Sequence, residues 1–142
     1  ALGMVDDFAD YTLIRREQKY GRQSRIDLLL SADDRPDLYI EVKNVHFIRT
    51  PGLAEFPDTP TARGTRHLAE LADMVAAGKR VAMVYLIQRD DCERFAIAAD
   101  LDPVYAEAFK CARRAGVEAF AIKCNVSRDS ITPDGTVLVD NM

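Results

Sequence analysis

The chain has 142 residues, 48% of them hydrophobic and 30% charged, which suits one domain with a real core and is too short for two ordinary ones. A formal net charge of −4 and a sequence pI near 5.2 exclude a protein that coats nucleic acid through overall basic excess, so any such binding must come from a local cationic patch. Three widely spaced cysteines, Cys92, Cys111 and Cys124, with no C-x-x-C pair, exclude a disulfide frame or zinc site and read as buried or half-buried thiols of a reducing cytoplasm.

No apolar run approaches a membrane span, and no charged-then-apolar leader opens the chain; a cytoplasmic protein is expected. The opening "ALGMVDD" lacks an initiator methionine, so residues 1–142 read as one domain from a longer protein. Residues 2–9 read as a short helix or a leading loop. Strand character follows over 12–20, with Gly21 as breaker, then over 24–31 and 37–45. The stretch "RTPGLAEFPD" reads as a Pro/Gly-marked connection. Thr59 and Pro60 predict a helix start, a hydroxyl cap followed by proline where its missing N–H costs nothing. That helix runs to about Ala77 and ends at Gly78, with Leu68, Leu71, Ala72 and Val75 as its core stripe.

The run "RVAMVYLIQ" (80–88) predicts a strand covered on both faces. An irregular stretch leads to a second capped helix, with Asp102 as cap, Pro103 at the first position and Gly116 as stop. Residues 117–126 predict a further strand, and the tail "SITPDGTVLVD" one more hairpin arm. Three strands joined by short turns imply an antiparallel meander; the later alternation implies parallel crossovers. The expected architecture is a mixed α/β sheet with helices on both faces.

Charges stand inside two of these strands, in "SRIDLLL" and "LYIEVKNV". Alternation puts Ile26, Leu28, Leu30, Leu38, Ile40 and Val42 on one face, with Arg25, Asp27, Leu29, Tyr39, Glu41 and Lys43 on the other. A turn centred on Asp34 makes cross-strand partners sum to 68, setting Asp27 opposite Glu41 and Arg25 opposite Lys43. Like charges directly opposite are destabilising, so something else must hold the carboxylates together. Mg²⁺ (or Mn²⁺) is the natural candidate, since it takes one or two carboxylates with waters and substrate phosphate. Asp27 and Glu41 would be ligands, joined by the Val42 carbonyl, and Lys43 would manage the attacking water. The plain alternative is a solvated charged sheet face. The E-x-K triplet alone is weak, because Glu17-Gln18-Lys19 repeats it; Glu17 remains an accessory acid if its strand lies beside the second.

On the helix at 60–77, Arg63, Arg66, His67 and Glu70 form a polar stripe. It is either an ordinary solvated face or a rim on which Arg63 and His67 bind phosphate. His46 reads as a loop or supporting residue. Gln88 and Arg89 stand at a strand end, where ligands often bind in α/β sheets, or in a plain loop.

The blocks "YGRQSRIDLLL", "YIEVKNVHF", "FPDTPTARGTRHLAEL", "IQRDDCERF", "DPVYAEAF" and "AGVEAFAIKC", in this order, resemble the sugar fermentation stimulation protein family. The resemblance covers nearly the whole chain from about Leu13. It implies a PD-(D/E)xK nuclease-like, restriction-endonuclease-like domain, with Asp27 as the motif aspartate, Glu41 and Lys43 as the E-x-K pair, and Arg63 and His67 in an "RGxxHL" helix. It also implies DNA binding through the phosphate backbone and a link to bacterial sugar (maltose) utilisation. In the family an OB-like domain precedes this part, and the resemblance is expected to cover the nuclease-like domain alone. Three functions follow for comparison: a Mg²⁺-dependent nuclease, a non-catalytic DNA-binding or regulatory module, and a small-molecule sensor. Dimerisation stays open.

Overall fold

Short polar connections between apolar runs leave adjacent strands little choice but to pair antiparallel. The first three do so in the computed structural model, which describes residues 8–20 and 24–140. They are β1 (Leu13–Tyr20), β2 (Ser24–Ala32) and β3 (Arg35–Val45), with β1 against β2 and β2 against β3. The β2–β3 pairs Leu28–Ile40, Leu29–Tyr39 and Leu30–Leu38 keep the expected register, and Asp33 and Asp34 make the turn. The leading helix or loop expected over 2–9 lies outside the described residues except for Phe8, which is buried, and Ala9, which is exposed.

The connection expected after β3 is instead a hairpin of β4 (Phe47–Thr50) and β5 (Gly52–Phe56). Pro51 and Gly52 do punctuate the chain, but as the hairpin turn, where Gly52 takes a φ of 82° that other residues avoid. The peptide between Phe56 and Pro57 is cis. Helix α1 (Ala62–Ala76) follows. Its cap is Thr61 rather than Thr59: the Thr61 side chain accepts the Gly64 N–H at 3.0 Å, and its own N–H is held by Asp102 at 2.8 Å. Strand β6 (Arg80–Ile87) is buried almost throughout, as its unbroken apolar run demands.

The irregular stretch expected before the second helix contains β7 (Cys92–Ile97). Helix α2 (Pro103–Ala115) begins on its Asp102 cap and stops at Gly116, whose φ is 114°. Strands β8 (Glu118–Val126) and β9 (Ile131–Val139) form the closing antiparallel hairpin. The described strands make one sheet in the order β1-β2-β3-β6-β8-β9-β7-β5-β4, with parallel steps from β3 to β6 and from β6 to β8.

Those two parallel steps move the same way along the sheet. With right-handed crossovers, that puts both helices on one face. Leu68, Leu71 and Met74 of α1 and Tyr105, Ala106, Phe109 and Ala112 of α2 accordingly share one buried cluster with Met83, Tyr85 and Phe95. The other face carries a smaller cluster, Leu30, Leu38, Ile40, Ala82, Val84 and Ile122, closed by Phe8 and Tyr11 rather than by a described helix. The sheet also curls. Phe95 of β7 stacks on Tyr85 of β6 with ring centroids 4.4 Å apart, although three strand spacings, about 14 Å if flat, separate them in the order. The curl folds β5 and β7 over the helix-bearing face, and Phe56 meets both Tyr85 and Tyr105 there. Each such ring contributes roughly 1.5–3 kcal/mol by burial. Among the thiols, Cys92 and Cys124 are buried and Cys111 is exposed.

Candidate active site

The helix-bearing face of β3 presents Tyr39, Glu41, Lys43 and Val45 in alternation; Val45 is buried and Tyr39 packs against the main cluster. Glu41 and Lys43 therefore project beneath α1 and not into water. The β2–β3 ladder stops at Leu28–Ile40. Where the next cross-strand pair would fall, the Val42 N–H donates to Asp27 Oδ2 at 2.7 Å. The expected Asp27–Glu41 backbone pairing gives way to this side-chain bond, which still brings the two carboxylates together. The break also flips one residue: Leu28, Leu30, Leu38, Ile40 and Val42 share the smaller cluster as alternation requires, but Ile26 belongs to the main one.

Three side chains meet at one point. Lys43 Nζ lies 3.2 Å from Glu41 Oε1, His67 Nδ1 lies 3.1 Å from the same oxygen, and Nζ and Nδ1 are 3.2 Å apart. Glu41 is 5% exposed, and the Lys43 and His67 side chains are 17% and 12% exposed. Burial, with the Asp27 charge alongside, raises the Glu41 carboxyl to about 7 against the pull of Lys43. Burial also lowers His67, helped by the charges of Lys43 and Arg63. Near pH 7 the imidazole is neutral and Glu41 stands close to its midpoint. Behind them the Tyr85 and Tyr105 hydroxyls hydrogen-bond at 2.6 Å. Burial, with the Glu41 charge nearby, pushes Tyr105 upward, against the Tyr85 hydrogen bond.

The donor set decides which cation would fit. Among the described residues no group of three or more His, Cys, Asp and Glu side chains is arranged to hold a metal ion. That rules poorly for zinc, which wants a nearly complete set of protein ligands. Two adjacent carboxylates, one kept from ionising easily by burial and by the other, fit Mg²⁺ or Mn²⁺, which complete their shell with water and phosphate. Asp27 and Glu41 would hold such an ion, with the Val42 carbonyl beside them on the strand.

The other expected residues divide. His67 is drawn into the centre and does not stand on an outer rim. Arg63 and Arg66 are exposed on α1, and the charge of each reaches His67, so both stand near the site mouth. Glu17 sits in β1 between the pairs Arg16–Leu28 and Gln18–Ile26, hence opposite Asp27, with a φ of 53°; it completes no three-ligand cluster. The Arg25 side chain lies outside the described residues. Gln88 is placed with Asn44, its amide 3.4 Å from the Asn44 oxygen. Asn44 follows Lys43 and so points to the opposite sheet face; the structure does not bring Gln88 to the trio. Arg89 is committed to Asp91 and to the His46 carbonyl, and His46 itself is exposed.

Two supporting residues escape a reading of the sequence. Asp102 is legible as the cap of α2 but also binds the Thr61 N–H at 2.8 Å, tying down the start of the helix that carries His67. Tyr85, one tyrosine in an apolar run, stands in register with Lys43 on the neighbouring strand. No local pattern marks either role.

Residues 1–130 match the family described as "Sugar fermentation stimulation protein RE domain". The sugar fermentation stimulation protein homolog of Agrobacterium fabrum is 62% identical over 138 residues, covering 97% of this chain and 58% of its own length. The homolog of Rhizobium rhizogenes is 59% identical over 140 residues, covering 99% of this chain and 56% of its own. A solved structure of Pyrococcus furiosus SfsA in complex with Ca²⁺ superposes with a TM-score of 0.87 at 29% identity, over 97% of this chain and 59% of that one. The chain thus spans somewhat more than half the length of these relatives.

Proposed function

The chain belongs to the sugar fermentation stimulation protein family, and we propose that its restriction-endonuclease-like domain is a Mg²⁺- or Mn²⁺-dependent phosphodiesterase acting on DNA. The observation that carries this reading is the convergence of the Asp27 and Glu41 carboxylates with the Lys43 ammonium under α1, Lys43 Nζ being 3.2 Å from Glu41 Oε1. Paired carboxylates repel a phosphate unless a cation lies between them, so a pure backbone binder has no use for them here. The Ca²⁺ complex of the archaeal relative supports a hard, oxygen-seeking cation at this fold.

The bound cation would supply charge stabilisation at the phosphate and a more acidic water. The chain's own residues do the rest. Asp27 and Glu41 hold the ion, Lys43 orients the attacking water, and Arg63 with Arg66 meets the DNA backbone at the helix surface. Contact of this kind reads backbone and not sequence. The proposal extends to a cytoplasmic protein linked to the control of sugar (maltose) use. Among the described residues no helix is long and apolar enough to cross a membrane.

A second reading is a DNA-binding module that keeps the nuclease architecture without turnover. The arginines Arg63 and Arg66, exposed on α1 with charges that reach His67, support it, since they can meet a phosphate backbone without a cation. One experiment separates the two: single-stranded, duplex and branched DNA and RNA incubated with Mn²⁺, with Lys43→Ala as control. Cleavage lost in Lys43→Ala supports the hydrolase. DNA retention without cleavage by the parent supports the binder, and cleavage that survives Lys43→Ala places the chemistry elsewhere.

A further inference from the structure

His67 stands in a sequence stripe of arginines, which suggests a phosphate ligand, but its geometry describes another task. The ring is mostly buried, with 12% of its side chain exposed. It hangs from a helix pinned on one side by fully buried Leu68 and Leu71 and at its start by the Asp102–Thr61 bond. Its Nδ1 is turned inward, 3.2 Å from Lys43 Nζ and 3.1 Å from Glu41 Oε1. A phosphate contact needs an outward donor; a ring whose Nδ1 is engaged inside the cleft serves the protein first.

Lys43 has two polar neighbours at that point. One is Glu41, and a carboxylate shared with a cation is a weaker partner for an ammonium group. The other is the ring nitrogen Nδ1 of His67, 3.2 Å away, which a hard, oxygen-seeking cation leaves free for the ammonium. From this juxtaposition we propose that His67 is a positioning residue: its Nδ1 accepts from Lys43 Nζ and fixes the ammonium beside the reacting phosphate when Glu41 is engaged elsewhere. The inference rests on the hydrolase reading for the role of Lys43, though the holding of Nζ does not. It assigns the phosphate contacts on α1 to Arg63 and Arg66 alone. It also fixes the ring tautomer in the working state, with the proton on Nε2.

Three variants of the full chain test it. Asparagine carries its oxygen at the place of Nδ1, glutamine carries its amide near the place of Nε2, and alanine carries neither. With Mn²⁺ and a duplex DNA substrate, His67→Ala and His67→Gln should lose kcat by about tenfold to a hundredfold, the scale of a misplaced reacting group. His67→Asn should retain most of it, and KM should stay within about twofold throughout. Mn²⁺ affinity by calorimetry should be unchanged in all three. If glutamine preserves activity better than asparagine, or if the loss appears in KM, His67 contacts phosphate and the proposal falls.

A readout independent of turnover is the ¹H–¹⁵N signal of the Lys43 ammonium with Mg²⁺ present. It should be protected from exchange in the parent and in His67→Asn, and lost in His67→Ala and His67→Gln. Equal protection in every variant overturns the proposal even where DNA is cleaved. If the parent cleaves nothing, the hydrolase reading fails alone, and the ammonium signal still decides the part played by His67.

Discussion

The backbone N–H of Val42 lies 2.7 Å from Asp27 Oδ2, so this aspartate closes the β2–β3 hairpin at the same point where it would ligate a cation. The two jobs separate by substitution. Asp27→Asn keeps an oxygen for Val42 and removes the charge, whereas Asp27→Ala removes both. Alanine should cost about 1–3 kcal/mol of stability for the lost charge-assisted bond, and asparagine clearly less. Both should abolish the Mn²⁺-dependent rise in melting temperature of the parent. Thermal scans with and without Mn²⁺ check this, and an asparagine variant with an intact rise would remove Asp27 from the ligand set.

Glu41 predicts a pH dependence. Its carboxyl is raised from an ordinary 4.5 to about 7 by burial and by Asp27, so the folded protein binds this proton more tightly than the unfolded chain. The stabilisation is complete below about pH 4.5 and disappears as pH rises to about 7, a loss of roughly 3 kcal/mol at most. Urea unfolding in EDTA should show the decline, and Glu41→Gln should flatten it. A cation binds the ionised form, so stabilisation by Mg²⁺ should grow over the same interval. A slope unchanged in Glu41→Gln would locate the titration in another group.

The carboxylate pair was legible in the sequence because strand alternation and a two-residue turn place Asp27 near Glu41 whatever the rest of the chain does. The two helices were legible for a similar local reason, since Asp102, Pro103 and Gly116 mark α2 from within. What escaped depends on distant packing. Strand β7 is six residues long, with Cys92, Phe95 and Ile97 buried and Glu93 and Arg94 exposed, and it is a strand only because the curled sheet delivers Tyr85 to Phe95. The β4–β5 hairpin hides behind Pro51 and Gly52, which mark a connection equally well. The expectation of helices on both faces lacked the strand order: the side each helix takes depends on the direction of its crossover, and both share one buried cluster. For His67 the sequence offers a solvated stripe or a phosphate-binding rim; only the seating of α1 over β3 turns it onto Lys43, 24 positions away in sequence.

Helix α1 also seats tightly against α2, at Gly64. A Cβ there would come within 2.9 Å of Thr61 Cγ2 and 3.1 Å of Tyr105 Cε2. Tyr105 cannot easily retreat, since its hydroxyl is bound to Tyr85 at 2.6 Å. Alanine in a helix gains about 1 kcal/mol over glycine, while overpacking costs about 1–3 kcal/mol. The second term should win: Gly64→Ala should lower stability in urea titration and shift α1 enough to reduce DNA cleavage. A stabilised Gly64→Ala protein would mean that the two helices separate without cost.

Asp102 joins the starts of both helices. Its Oδ1 accepts the Tyr105 N–H at 3.0 Å and its Oδ2 the Thr61 N–H at 2.8 Å, in a residue only 4% exposed. Neither donor has an intrahelical partner, and the surroundings are too dry for water to replace the carboxylate. Asp102→Ala should therefore cost about 2–4 kcal/mol, more than the loss of an ordinary cap. Asp102→Asn offers one oxygen for two donors and should fall between alanine and the parent. Amide exchange at Thr61 and Tyr105 should accelerate together in both variants, because one side chain restrains the two. Loosening α1 at its start also releases His67 from above Lys43, so cleavage should fall further than the drop in folded population explains. Faster exchange at Tyr105 with Thr61 unchanged would show that α1 is held by something other than this carboxylate.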